Sequence, residues 1–137
     1  MEKPMIKIYI DAATNQKKEI SAGGMVLLKD QEQIQRHQPL TSKTNNEAEF
    51  EMLYLSLNYL ITMNWTTETI FIYTDSRIVV ESIEKQYAKD KRFSVYLEKI
   101  LDLLTNFQLI FIEWLDESGN KGADRIAKQA LQKTLRN

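Results

Sequence analysis

Four acidic side chains stand where a folding argument alone does not put them. Asp11 closes the alternating run Ile6, Ile8, Ile10, and Asp75 closes the run Thr69 to Thr74. A tyrosine lies two residues before each, Tyr9 and Tyr73, so both carboxylates take the tyrosine side of their strands. Glu49 is spaced i, i+4, i+8 with Leu53 and Leu57, which sets a carboxylate on an apolar stripe early in a helix, whereas Glu47 and Glu51 face elsewhere. Asp124 shares a helical face with Ala127, Leu131 and Leu135. A carboxylate turned toward a core is costly unless it is protonated, paired or bound to a cation. The chain has no Cys and a single His, so such a cation takes oxygen ligands: Mg²⁺ or Mn²⁺, held in pairs about 3.5 to 4 Å apart where phosphoryl chemistry is done. Taken singly, each acid is also explained by a cap, a turn or a salt bridge, and spacing alone does not bring the four together.

The elements that must position these acids are legible as patterns. Met5 to Asp11 alternates as a strand with Asp11 at its end; Ser21 to Leu28 and the polar Glu32 to Gln38 continue as a meander, the last as an exposed edge. Thr44 with Glu47 forms a capping box ahead of a helix from about Asn45 to Met63. Thr69 to Thr74 is a strand, Ser76 begins a helix carrying Ile78, Val79 and Ile83, and Ser94 caps another bearing Leu97, Ile100 and Leu104. Phe107 to Trp114 is a strand, Asp116 to Lys121 a loop, and a last helix runs to near Leu135. The order βββαβ, then helices, β and α, implies a mixed sheet with helices packed on it.

Composition sets outer bounds. A chain of 137 residues with 43% hydrophobic and 27% charged residues is expected to be one globular domain, residues 1–137, and not a disordered tail or a fibre. The absence of Cys excludes disulfides and thiol nucleophiles. A net charge of −1 does not advertise a nucleic-acid or membrane partner. Lys7 interrupts the apolar N-terminal stretch, so no signal-peptide layout is present, and no run approaches the ~18 apolar residues of a membrane span. A cytoplasmic protein with no membrane association and no obligate protein partner is expected.

The segments around the four acids carry a resemblance. IYIDAAT, TNNEAE, IYTDS and NKGADRIA, in that order, resemble the motifs of type I ribonuclease H, from about Met5 to Leu131. The resemblance implies an α/β fold of the RNase H-like kind, a five-stranded mixed sheet flanked by helices on both faces. It implies endonucleolytic cleavage of the RNA strand of RNA/DNA hybrids with two Mg²⁺, Mn²⁺ being a substitute. By position, Asp11 would bridge both metals, Glu49 and Asp75 would hold one, and Asp124 would complete the other. Thr44, Asn45 and Asn46 would face the backbone and minor groove of the hybrid. The alternative, from another class, is a nucleic-acid-binding module of the same fold with weak or lost hydrolysis. The chain departs from the family at the turn after the first Asp, where Asn15, Gln16, Lys17, Lys18, Glu19 and Ile20 replace a glycine- and proline-rich turn that approaches RNA 2′-hydroxyls. It departs again in the loop before Asp124, where Glu117 and Ser118 stand and a family histidine is missing.

His37 falls in the polar edge strand and is expected on the surface without a catalytic role. Trp65 and Trp114 are expected to pack, and Met5, Met25, Met52 and Met63 to fill the core. Lys85, Lys89, Lys91 and Arg92, and Arg125, Lys128, Lys133 and Arg136 on the last helix, are read either as phosphate grips or as solvated faces.

Overall fold

The computed structural model describes residues 5–136. Three antiparallel strands, β1 (Met5–Asn15), β2 (Ile20–Lys29) and β3 (Glu32–Leu40), lead into helix α1 (Asn45–Thr62). Strand β4 (Thr69–Thr74), helices α2 (Arg77–Lys85) and α3 (Lys91–Leu104), strand β5 (Leu109–Trp114), a short 3₁₀ turn (Glu117–Gly119) and helix α4 (Lys121–Arg136) follow. The five strands form one mixed sheet in the order β3-β2-β1-β4-β5, with β1 antiparallel to β2 and β4 and β5 parallel to the strands before them in that order. This is the α/β architecture expected from the sequence.

The period-two pattern decides which face carries which helix. Ile6, Ile8 and Ile10 are fully buried, as are Leu27 across β2 and Ile70 and Ile72 across β4. On that face α1 contributes Phe50, Leu53, Leu57 and Leu60, each with no exposed surface, and α3 packs behind it through Phe93 and Ile100. The opposite face of β1–β3 is covered by α4, through Ala22, Ala130 and Leu131. Gly24 makes that approach possible: a β-carbon there would fall on the Ala127 amide nitrogen and 2.5 Å from the Ala123 carbonyl oxygen. Strand and helix therefore meet backbone to backbone.

Several expectations are corrected in detail. β1 does not stop at Asp11 but runs on to Asn15, because its hairpin partner β2 continues to pair with it as far as Asn15↔Ile20. Helix α3 starts at Lys91 and is capped by Asp90, whose carboxylate accepts the Arg92 amide at 2.9 Å; Ser94 lies inside the helix. β5 begins at Leu109, after Phe107. Met25 and Met52 are core residues, but Met5 and Met63 are 47% and 40% exposed at element ends. Thr44 and Ser76 cap α1 and α2 as expected, accepting the amides of Glu47 and Val79. Among the described residues no helix is long and apolar enough to cross a membrane.

Candidate functional site

The site lies where two parallel strands part company. β1 and β4 pair in parallel up to Tyr9↔Tyr73, whose rings stack 5.0 Å apart, and beyond that rung β1 pairs with β2 alone. Asp11 and Asp75 each follow this last shared rung by two residues, and α1 brings Glu49 against them. One carboxylate oxygen from each of Asp11, Glu49 and Asp75 lies within 4.8 Å of the others. Asp11 and Glu49 are buried, and Asp75 is half-buried.

Three carboxyl groups this close, two of them buried, are each shifted toward the protonated form. Burial, reinforced by the charge of Asp75, pushes Asp11 up from 3.8 to about 7. Burial and the neighbouring Asp11 raise Glu49 well above its ordinary value. Asp75 is raised by burial, partly offset by a hydrogen bond from Asn120. Asn120 is itself fully buried and donates from Nδ2 to the Ile10 carbonyl at 2.8 Å, which ties the loop before α4 to β1. Asp11 Oδ1 accepts the Ala12 amide at 2.9 Å. Glu49 Oε2 is buried and has no hydrogen-bond partner among the described residues. An unpartnered carboxylate oxygen in an all-oxygen donor set fits a hard divalent cation.

Asp124 lies beside the other three acids, near enough to Asp11 to help raise its affinity for a proton. It lines the same cleft, of ≈ 610 Å³, but its side chain is 42% exposed on the rim and pairs with Lys128 at 3.0 Å. It is not among the three acids that converge. The first turn of α4 is packed through the fully buried Ala123, while Asp124 beside it opens onto the cleft. Asn45 and Asn46 are exposed on the cleft wall. Thr44 is engaged as the cap of α1, its hydroxyl bonded to the Glu47 carboxylate at 2.9 Å. Glu117, Ser118 and Lys121 line the cleft in front of Asp124.

Sequence reasoning missed Glu51. It is buried, and its two oxygens accept the amides of Thr41 and Ser42 and both of their hydroxyls, at 2.7 to 3.0 Å. This carboxylate fastens the segment that delivers Thr44, Asn45 and Asn46. The signal lay in the Thr41-Ser42 pair upstream, four donors in two residues. Trp114, expected to pack, is 40% exposed beside the site. His37 is exposed on β3, 3.4 Å from Gln129. Of the basic residues, Arg92 is paired with Asp90 and Glu47, and Lys128 with Asp124. The turn after β1 is closed by Asn15, which accepts the Lys18 amide at 3.0 Å, and by Glu19 in the left-handed region at φ 53°.

Comparison with known proteins places this arrangement. The chain is 46% identical over 129 residues to the Enterococcus faecalis protein named "Putative hydrolase EbsB", covering 94% of this chain and 96% of that one. It is 26% identical to YpeP of Bacillus subtilis over 92% of its own length, and spans 58% of that protein. In structure it is similar to ribonuclease H1 of Halobacterium salinarum, with a TM-score of 0.83, 23% identity, and 94% and 98% of the two chains covered. LC11-RNase H1, solved in complex with an RNA/DNA hybrid, matches with a TM-score of 0.80 and 20% identity over 95% and 99% of the chains. The reverse transcriptase-like family model matches residues 9–130. With three acids gathered at the end of a sheet of this order, the chain belongs to the reverse transcriptase-like family and has the fold of ribonuclease H.

Proposed function

We propose that the chain is a metal-dependent endoribonuclease that cleaves the RNA strand of RNA/DNA hybrids. The observation that carries this reading is the convergence of Asp11, Glu49 and Asp75, two of them buried, with a Glu49 oxygen left unpartnered. Asp11, Glu49 and Asp75 would hold one divalent cation, and Asp11 with Asp124 a second, Mg²⁺ or Mn²⁺. Bound cations supply Lewis acidity, an acidified water and neutralised charge at the scissile phosphate and leaving oxygen. The residues do the rest. Asn120 orients the Asp75 carboxylate and anchors its own loop on Ile10. Asn45 and Asn46 present amide donors and acceptors to the minor groove, held by the capped start of α1 and by the Glu51 anchorage behind it. Lys128 pairs with Asp124 at the rim. The hydrolase in the EbsB name and the hybrid bound by LC11-RNase H1 support the substrate class. A cytoplasmic location accords with it.

The turn at residues 15–19 favours the second reading, a binding module without efficient hydrolysis, because residues with side chains stand where a close backbone approach to sugars needs glycine. One assay separates the two. Labelled RNA/DNA hybrid, double-stranded RNA and double-stranded DNA are incubated with Mg²⁺ and with Mn²⁺. Cleavage confined to the RNA of the hybrid is expected; hybrid binding with no cleavage under either metal leaves the binding module.

A further inference from the structure

A second cleft, also of ≈ 610 Å³, opens on the other side of the carboxylates and shares Asn45, Glu49, Asp75 and Glu117 with the first. Its remaining wall includes Arg77 and Trp114, and Arg77 is the one cation among its lining residues. Resting on the nucleic-acid reading above, we propose that Arg77, clamped on Trp114, is the residue that seats a backbone phosphate of the bound strand in this second cleft.

The arrangement holds a guanidinium still while leaving its donors unused. Its central carbon lies 4.2 Å over the Trp114 ring, a contact made through the π face that consumes no N–H group. The indole is fixed in turn, because its Nε1 donates to the Asp75 carbonyl at 3.1 Å. The position of the cation is thus referred to the backbone of a candidate metal ligand. Among the described residues Arg77 makes no ion pair within 4.0 Å. Asp116, on the same wall, already accepts the Ser118 amide at 2.9 Å. Arg92 shows the contrast: it is locked to Asp90 at 2.7 Å and to Glu47 at 3.6 Å, with its fork consumed inside the protein. A planar fork with free donors is matched to phosphate oxygens. Glu49, Asp75, Asp116 and Glu117 otherwise make this cleft acidic, so a polyanion entering it needs a fixed positive charge on the wall.

The test uses the full chain carrying Asp11→Asn to prevent turnover, and a short fluorescent RNA/DNA hybrid titrated by anisotropy over a salt series. Arg77→Gln is expected to weaken binding about tenfold near 0.1 M salt, as befits a charge-assisted contact, and to flatten the slope of log K against log[salt] by about 0.7 to 0.9, one phosphate's share. Arg77→Lys keeps the slope, since the charge remains, and loses about threefold in affinity with the fork. Arg36→Gln is a matched control: Arg36 also stacks on an aromatic ring, Tyr59 at 4.6 Å, but beside a different cavity between β3 and α1. It should change neither quantity. In a Trp65→Phe chain, whose only tryptophan is Trp114, hybrid should shift the emission with the same midpoint as the anisotropy. A parent chain that binds with a steep salt slope, and an Arg77→Gln variant with the same affinity and slope, would overturn the assignment of Arg77 alone. A parent chain that binds no hybrid at any salt overturns it together with the proposed function.

Discussion

Glu49 and Glu51 sit two residues apart on α1 and are equally hidden from solvent, at 4% and 5% exposure, yet they live in opposite chemical conditions. Glu51 faces neutral donors, the amides and hydroxyls of Thr41 and Ser42. Glu49 faces two other carboxylates and keeps one oxygen without a partner. A buried carboxyl group whose oxygens are all bonded is held at little cost, whereas one with an unpartnered oxygen beside other carboxyl groups costs stability. Burial alone therefore does not separate a structural acid from a site acid; the partners do.

The most severe break of this comparison removes a carboxylate from beside Glu49. Asp11→Asn and Asp75→Asn should each reduce Mg²⁺-dependent hybrid cleavage by on the order of 10³-fold, the scale of losing a preorganised electrostatic element, without lowering the metal-free melting temperature. Hybrid cleavage and thermal unfolding measured on the same preparations check both halves, and cleavage at the parent rate in either variant contradicts the assignment. On the other side, Glu51→Ala orphans the Thr41 and Ser42 donors and should cost about 3 kcal/mol in denaturant unfolding, while Glu49→Gln costs nothing in metal-free protein. Equal losses from the two substitutions would erase the distinction.

Acidity gives a gentler handle. Asp11 is pushed up from 3.8 to about 7, chiefly by burial, so the folded chain keeps a proton that the unfolded chain gives up. The stability carried by that proton is complete below 3.8 and is lost as pH rises through about 7. Metal-free protein should melt at progressively lower temperature from pH 5 to pH 8, and Asp11→Asn should flatten the trend. At the alkaline end Mg²⁺ should restore about 2.7 kcal/mol at a concentration roughly 100-fold above its Kd, and little at the acid end, where protons compete for the same oxygens. The smallest effect expected is at the turn. Grafting a glycine-rich segment at Gln16 to Ile20 should raise the preference for hybrid over double-stranded DNA by a few fold in matched-salt titrations, on the order of one added sugar contact.

Strand and helix order was legible because periodicity reports burial, and here α1 buries one face of the sheet and α4 the β1–β3 part of the other. Asp11, Glu49 and Asp75 were legible as acids out of place. Asp124 was legible as belonging beside them, but helical spacing, which says only which face a residue shares, left its exposure at the rim unread. Glu51 was missed for a related reason: its partners lie in an irregular segment, Thr41 and Ser42, that no period describes. Trp114 and Met63 break the rule that large apolar residues pack, since both stand at element ends where the core has run out.

The backbone contact at Gly24 bears on how such a chain tolerates change. Because α4 is seated by Gly24 against Ala123 and Ala127, the place of Asp124 is set by a rigid seam and not by the loop that precedes it. Residues 115–119 can then be shortened, lengthened or rewritten without carrying the fourth acid along, provided Asn120 still reaches Ile10. The seam works as a fixed mounting behind an interchangeable part, and it leaves that stretch of chain open to insertion and deletion while the acids beside it stay registered.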